Sequence, residues 1–198
     1  MKEINLKSST IEKSLDLAKD FLQTLIGPSV GELGQFFADK VKVWRLKNQI
    51  NTLEKVQKII KEKNIQPQQV NLKVLLPYLD AVSLEEDEKL QDIWANLLVN
   101  YIDSKKNLTS VVYPNILKQL SSYEIELLSE LKNNDGTMYF SNQGMIEDCA
   151  NLIRLGLVEN PRSIRHGDFT EVVGTNPSSL IQLTLFGEEF YKACQRDA

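Results

Sequence analysis

His166 is the single histidine of this 198-residue chain, so a Ser–His–acid triad would have to use it. It stands in Asn160–Ser179, a stretch carrying Pro161, Gly167, Gly174 and Pro177, and no nucleophile-elbow sequence accompanies it. Cys149 and Cys194 lie far apart, and no Cys, His and Asp set has metal-ligand spacing. Carboxylates are most concentrated at Glu85, Glu86, Asp87 and Glu88. A contiguous acidic run at a helix start suits the helix dipole; it does not set an acid opposite a base across a substrate. Gly31-Glu32-Leu33-Gly34 resembles a phosphate loop, but it lies in a helical pattern with no strand before it. The expectation is a protein without catalytic residues, metal, cofactor or small-molecule substrate.

Charged residues that could recognise a partner are easier to find. Lys40 to Lys63 holds eight Lys and Arg beside Asp39, Glu54 and Glu62. Such a helix can meet an anionic partner, or it can be neutralised by the Glu85–Glu88 acids. Arg45 is placed to meet Glu86 or Asp87. From Ser121 to the end, six Lys and Arg face twelve Asp and Glu, a local net charge of −6. Affinity for DNA rests on phosphate neutralisation, so this balance argues against DNA reading. Glu147 and Asp148 outweigh the one Arg154 on their helix, and Arg162 and Arg165 are followed closely by Asp168 and Glu171. The favoured partner is therefore a protein, or a second copy of the chain. Nucleic acid at Arg162 and Arg165 and a membrane are the less favoured alternatives. The membrane alternative rests on Phe21–Gly31, an uncharged run with small residues four apart.

These residues need elements to hold them. Ile11–Ile26 reads as an amphipathic helix with Leu15, Ala18, Leu22 and Leu25 on one face. Gly27-Pro28 ends it, and a second helix follows from Ser29 to about Lys63. The apolar stripe of that second helix changes near Trp44-Arg45, from Val30, Leu33, Phe37, Val41 and Trp44 to Leu46, Ile50, Leu53, Val56 and Ile60. Asn64–Gln69 is a linker, and Leu72–Val82 is a short helix that Pro77 should kink or restart. Ser83 with Glu86 forms the pattern of a capping box for a helix running to Ile102. Its inward stripe is Leu90, Ile93, Trp94, Leu97, Leu98 and Tyr101; Asn96 falls on the polar side, and Trp44 and Trp94 are core candidates. After a polar boundary at Asp103–Asn107, Ser121 and Glu124 open another helix, Asn134-Asp135-Gly136 turns, and Asn142–Leu155 is closed by Gly156. Leu157–Glu159 and Leu180–Leu185 read as strands, and Gly187–Cys194 as a closing helix. The fold class is thus mainly α, with an N-terminal helical bundle (1–104) and a small winged-helix-like α+β domain (105–198). Met1–Thr10 lacks the apolar segment of a secretory signal, and two cysteines fit a reducing compartment, so a cytoplasmic protein is expected.

The strings WRLKNQ at Trp44–Gln49, LEEDEKLQDIWANLLVN at Leu84–Asn100 and LTLFGEEF at Leu183–Phe190 resemble the abortive infection alpha family of bacteria. The resemblance runs from about Leu17 to Cys194. It implies a role in phage defence by sacrifice of the infected cell, and it carries over no catalytic residue.

Overall fold

The computed structural model describes residues 9–26, 43–106, 108–139, 143–160 and 180–195. The chain forms two compact units, Met1–Gln119 with Cys194–Ala198, and Leu120–Ala193. The described residues are mainly helical, with one small antiparallel sheet of three strands.

The first unit contains α1 (Ser9–Ile26), α2 (Val43–Lys63), α3 (Leu72–Val82), α4 (Glu88–Ile102) and α5 (Tyr113–Leu117). On α1 the expected face is buried at Ala18, Leu22 and Leu25, joined by Phe21. The end of that helix is secured by Val70, whose N–H donates to Leu25 O at 2.9 Å. The expected α2 stripe is buried at Ile50, Leu53 and Val56, while Leu46 and Ile60 are only half-buried and Ile59, outside the expected stripe, is buried. The earlier stripe, Val30 to Val41, lies outside the described residues. Helix α4 is the centre of the core. Its stripe is widened by Ala95, Val99 and Ile102, so most of its circumference is buried. Trp94 meets Tyr78 edge-on, with ring centroids 5.3 Å apart, and Tyr78 Oη donates to Trp94 O at 3.1 Å. The linker after α2 needs Asn64 in the left-handed region, φ 50°, and Gln68 N–H then donates to Ile102 O at 2.8 Å. Helix α3 is capped by Asn71 and runs without interruption through Pro77, so no restart occurs there.

The start of α4 corrects the sequence reading. Ser83 closes α3: its N–H donates to Leu79 O at 3.1 Å and its hydroxyl to Asp80 O at 2.6 Å. The N-cap of α4 is Asp87, whose Oδ1 accepts from the N–H groups of Lys89 at 2.8 Å and Leu90 at 3.0 Å. A carboxylate accepts two donors and meets the positive end of the helix with a full charge. A hydroxyl turned back to its own helix does neither. Of the four acids only Glu88 lies inside the helix.

The second unit contains α6 (Ser122–Asn133), β1 (Thr137–Tyr139), α7 (Gln143–Arg154), β2 (Val158–Glu159), β3 (Leu180–Leu183) and α8 (Leu185–Cys194) to Ala193. The strand order is β1-β3-β2, with Met138 opposite Ile181 and Val158 opposite Leu183. Strand β1 has no counterpart in the sequence reading. The capping box of Ser121 and Glu124 is present in both directions. Glu124 is buried, and its other oxygen accepts from Asn151 Nδ2 of α7 at 2.6 Å, so no carboxylate oxygen is left bare. Asp135 (φ 55°) and Gly136 (φ 78°) form the turn into β1, and Gly156 (φ 72°) ends α7. Thr184 caps α8, accepting from Gly187 N–H at 2.8 Å and donating to Gly156 O at 2.7 Å. Gly187 lies so close to β2 that a Cβ there would be 1.9 Å from Leu157 O.

Candidate functional site

The first unit holds most of the described buried polar side chains: Asn48, Gln49 and Thr52 of α2, Ser83 at the end of α3, and Gln91 and Asn100 of α4. All but Asn100 belong to the region where the end of α3 and the start of α4 meet α2. The last carbonyls of a helix have no partner within it and must find one elsewhere. Here α2 adds to the closure of α3: Asn48 Nδ2 donates to the O of the C-cap residue Ser83 at 3.3 Å, and Gln49 Nε2 gives Leu79 O, which already accepts from Ser83 N–H, a second donor at 2.9 Å. Thr52 donates back to Asn48 O at 3.0 Å, which holds that turn of α2 in register. On the α4 side Gln91 Nε2 donates to Glu85 O at 2.9 Å and Glu85 Oε1 accepts from Asp87 N–H at 3.1 Å, which fixes the loop between α3 and α4. Gln49 Oε1 and Trp94 Nε1 are buried with no hydrogen-bond partner. Each such group costs on the order of 1–3 kcal/mol, so the seam is specific in shape without being optimised for stability.

Beside this seam a groove of about 380 Å³ is lined by Asn51, Glu54, Lys55, Lys58, Glu88 and Gln91. Lys55 Nζ pairs with Asp92 at 2.7 Å and donates to Glu88 O at 3.2 Å. Lys58 pairs with Glu62 at 3.8 Å. Part of the basic helix is therefore neutralised, through Asp92 and Glu62 and a main-chain carbonyl rather than through the Glu85–Glu88 carboxylates.

The candidate residues fall as follows. Arg45 Nη2 lies 3.7 Å from Asp80 Oδ1, a partner the sequence did not suggest. Glu86 is exposed, and Asp87 is engaged as the α4 cap. Trp94 is 1% exposed and Asn96 is half-buried on α4. Trp44 lies on α2 and Glu147 and Asp148 on α7, but their side chains are outside the described residues, as are Arg162, Arg165 and His166. Of Phe21–Gly31, the part to Ile26 belongs to α1, with Phe21, Leu22 and Leu25 buried, and the rest is outside the described residues. Sequence reasoning missed Asn48, Gln49 and Thr52. The signal for them is a helix whose apolar stripe is interrupted by neutral amides rather than by charges.

Burial raises the Tyr78 phenol well above its ordinary value. It also raises Tyr101, with a smaller push from Tyr113 and Cys194, and it raises the Cys194 thiol. A thiol held protonated is neither nucleophile nor metal ligand. Among the described residues no group of three His, Cys, Asp or Glu could hold a metal ion, and no helix is long and apolar enough to cross a membrane.

The described residues therefore define a helical protein built around clamped helix ends, with a charged groove beside them. The chain belongs to the abortive infection alpha family: the model described as "Abortive infection alpha" matches residues 42–148, more than half of the chain. The matched span includes WRLKNQ and the whole of α4; LTLFGEEF lies beyond it. Family membership points to abortive infection, the phage-defence role that the resemblance implied. No curated protein and no solved structure matches the chain.

Proposed function

We propose that this protein acts in the bacterial cytoplasm as a non-enzymatic abortive-infection protein that works by binding another protein. The family match carries the defence role. The binding role is supported by charge and geometry. The second unit belongs to an acidic stretch, net −6 from Ser121 onward, which disfavours nucleic acid and favours a protein contact. A winged-helix-like reading of that unit is supported by its strand order, with helices before, within and after the sheet. The first unit, read as a bundle around α4, is the responding part.

The test is infection of a bacterial host at high multiplicity, with and without the gene, following culture density and phage burst together. Early collapse without a burst is the expected result. Normal bursts and unchanged growth across a broad phage panel would overturn the defence reading. Co-purification from infected cells, with Glu147→Ala and Asp148→Ala as the comparison, tests the acidic stretch. A partner retained in full by the double variant would move the contact elsewhere.

A further inference from the structure

We propose that α8 is the lever through which the second unit acts on the first: movement of its start, gripped in the second unit, is delivered to the last turn of α4. The proposal rests on the reading above, in which the second unit binds a partner and the first responds, and it names the connecting part. The chain passes between the units twice. At Gln119–Leu120 it passes in non-helical backbone, whose rotatable bonds absorb movement. At Ala193–Cys194 it passes inside a helix. Ten helical residues extend about 15 Å with the turns hydrogen-bonded to one another, so this element moves as a rod. Several contacts fix the rod in the second unit. Thr184 Oγ1 donates to Gly156 O at 2.7 Å, Lys132 pairs with Glu188, and Tyr191 Oη donates to Ser129 Oγ at 2.9 Å. Phe190 is fully buried. The far end is fixed in the first unit. Cys194 is 1% exposed, and Asn100 Nδ2 of α4 donates to Gln195 O, just past the helix end, at 3.1 Å. Asn100 is itself buried, so withdrawal of α8 deprives a buried amide of a bond. The turn of α4 reached in this way is a junction. Tyr101 Oη donates to Ser110 O, Tyr101 O accepts from Gln68 Nε2 at 3.3 Å, and Ile102 O accepts from Gln68 N–H at 2.8 Å. A pull on α8 therefore acts where the linker between α2 and α3 and the loop before α5 are both tied to α4.

The experiment uses the full chain and its two buried free cysteines as probes, Cys149 in the second unit and Cys194 in the first. Labelling by N-ethylmaleimide in native buffer, quenched at intervals and read by peptide mass spectrometry, gives a separate rate for each thiol. Gly187→Ala pushes the start of α8 away from Leu157. Leu152→Ala, a truncation of a fully buried side chain on α7, weakens the same unit from a different helix. Both variants should speed the labelling of Cys149. Only Gly187→Ala should speed that of Cys194, by at least about tenfold, the factor that corresponds to about 1.4 kcal/mol. If Gly187→Ala does not fold, Phe190→Leu takes its place as a smaller change in α8, and it should raise the Cys194 rate above that of Leu152→Ala. A Cys194 rate left unchanged by the α8 variant, or raised as much by Leu152→Ala, would overturn the lever. Neither phage nor partner enters this assay, so its failure is distinct from failure of the defence and protein-binding readings.

Discussion

Replacing Gly187 by alanine sets two effects of opposite sign against each other. Gly187 is the third residue of α8, and in a helix alanine is favoured over glycine by up to about 1 kcal/mol. Helix propensity alone therefore predicts a more stable protein. The structure predicts the reverse. An alanine Cβ would stand 1.9 Å from Leu157 O, 2.7 Å from its carbonyl carbon and 3.0 Å from its Cα. Carbon and oxygen ordinarily approach no closer than about 3.3 Å, so the backbones must part by roughly 1.4 Å. Leu157 O cannot withdraw freely, because it accepts from Thr184 N–H at 3.0 Å and shares the Thr184 hydroxyl proton, at 3.2 Å, with Gly156 O at 2.7 Å. Overpacking costs about 1–3 kcal/mol, and each strained hydrogen bond adds roughly 0.5–1.5 kcal/mol. After the propensity gain is subtracted, a loss of about 1–5 kcal/mol remains. Urea unfolding followed by circular dichroism measures it, and the midpoint should fall with the slope unchanged. A midpoint that rises, as propensity requires, would refute the close approach of α8 to β2 and the reasoning built on it.

Gln49→Ala should cost about 1–3 kcal/mol in the same assay read by tryptophan fluorescence, since it removes a buried bond to Leu79 O; Asn51→Ala, with no hydrogen bond to lose, should cost little. Asp87→Ala should cost about 0.5–2 kcal/mol and Asp87→Asn less, while Glu86→Ala stays near zero; a larger loss at Glu86 would contradict the cap. Glu188 is held below the ordinary carboxylate value of 4.5 by its hydrogen bond with Lys132 and then by Lys192, so its contribution is complete above that pH and is lost as pH falls through the lowered value. Glu188→Gln should flatten that acid limb of the stability profile, and an unchanged limb would remove the assignment. Lys192, raised by Glu189 and then Glu188, shows the opposite sign: its contribution is complete below 10.5 and is lost as pH rises through the raised value, a limb that Lys192→Met should abolish.

Where one local signal decided the structure, the sequence was readable. The stripe of α4, the buried face of α1, the Ser121–Glu124 box and the glycine after α7 each depend on residues within one or two turns. Where two signals competed, it was not. Ser83 and Asp87 are both good caps with apolar residues following, and only the return of Ser83 to Asp80 O settles which helix each serves. Strand β1 is three residues long and exists because β3 pairs with it; three residues carry no alternation to read. Gly187 looks like a weak point in a helix until Leu157, thirty residues earlier, is laid against it.

The strings that carried the family resemblance share a physical purpose. In WRLKNQ, Asn48 and Gln49 occupy the carbonyls at the end of α3, and Arg45 reaches Asp80 of the same helix. In LEEDEKLQDIWANLL, Glu85, Asp87 and Gln91 fix the loop and the start of α4, and Trp94 forms its core. In LTLFGEEF, Thr184 caps α8, Gly187 admits the neighbouring strand and Phe190 is fully buried. Each string sits at a helix end and holds that end in place. Geometry restricts these residues, so what they do within the fold does not identify a partner; the first two strings lie inside the family match and the third beyond it. Partner chemistry has to come from side chains that the joints leave uncommitted.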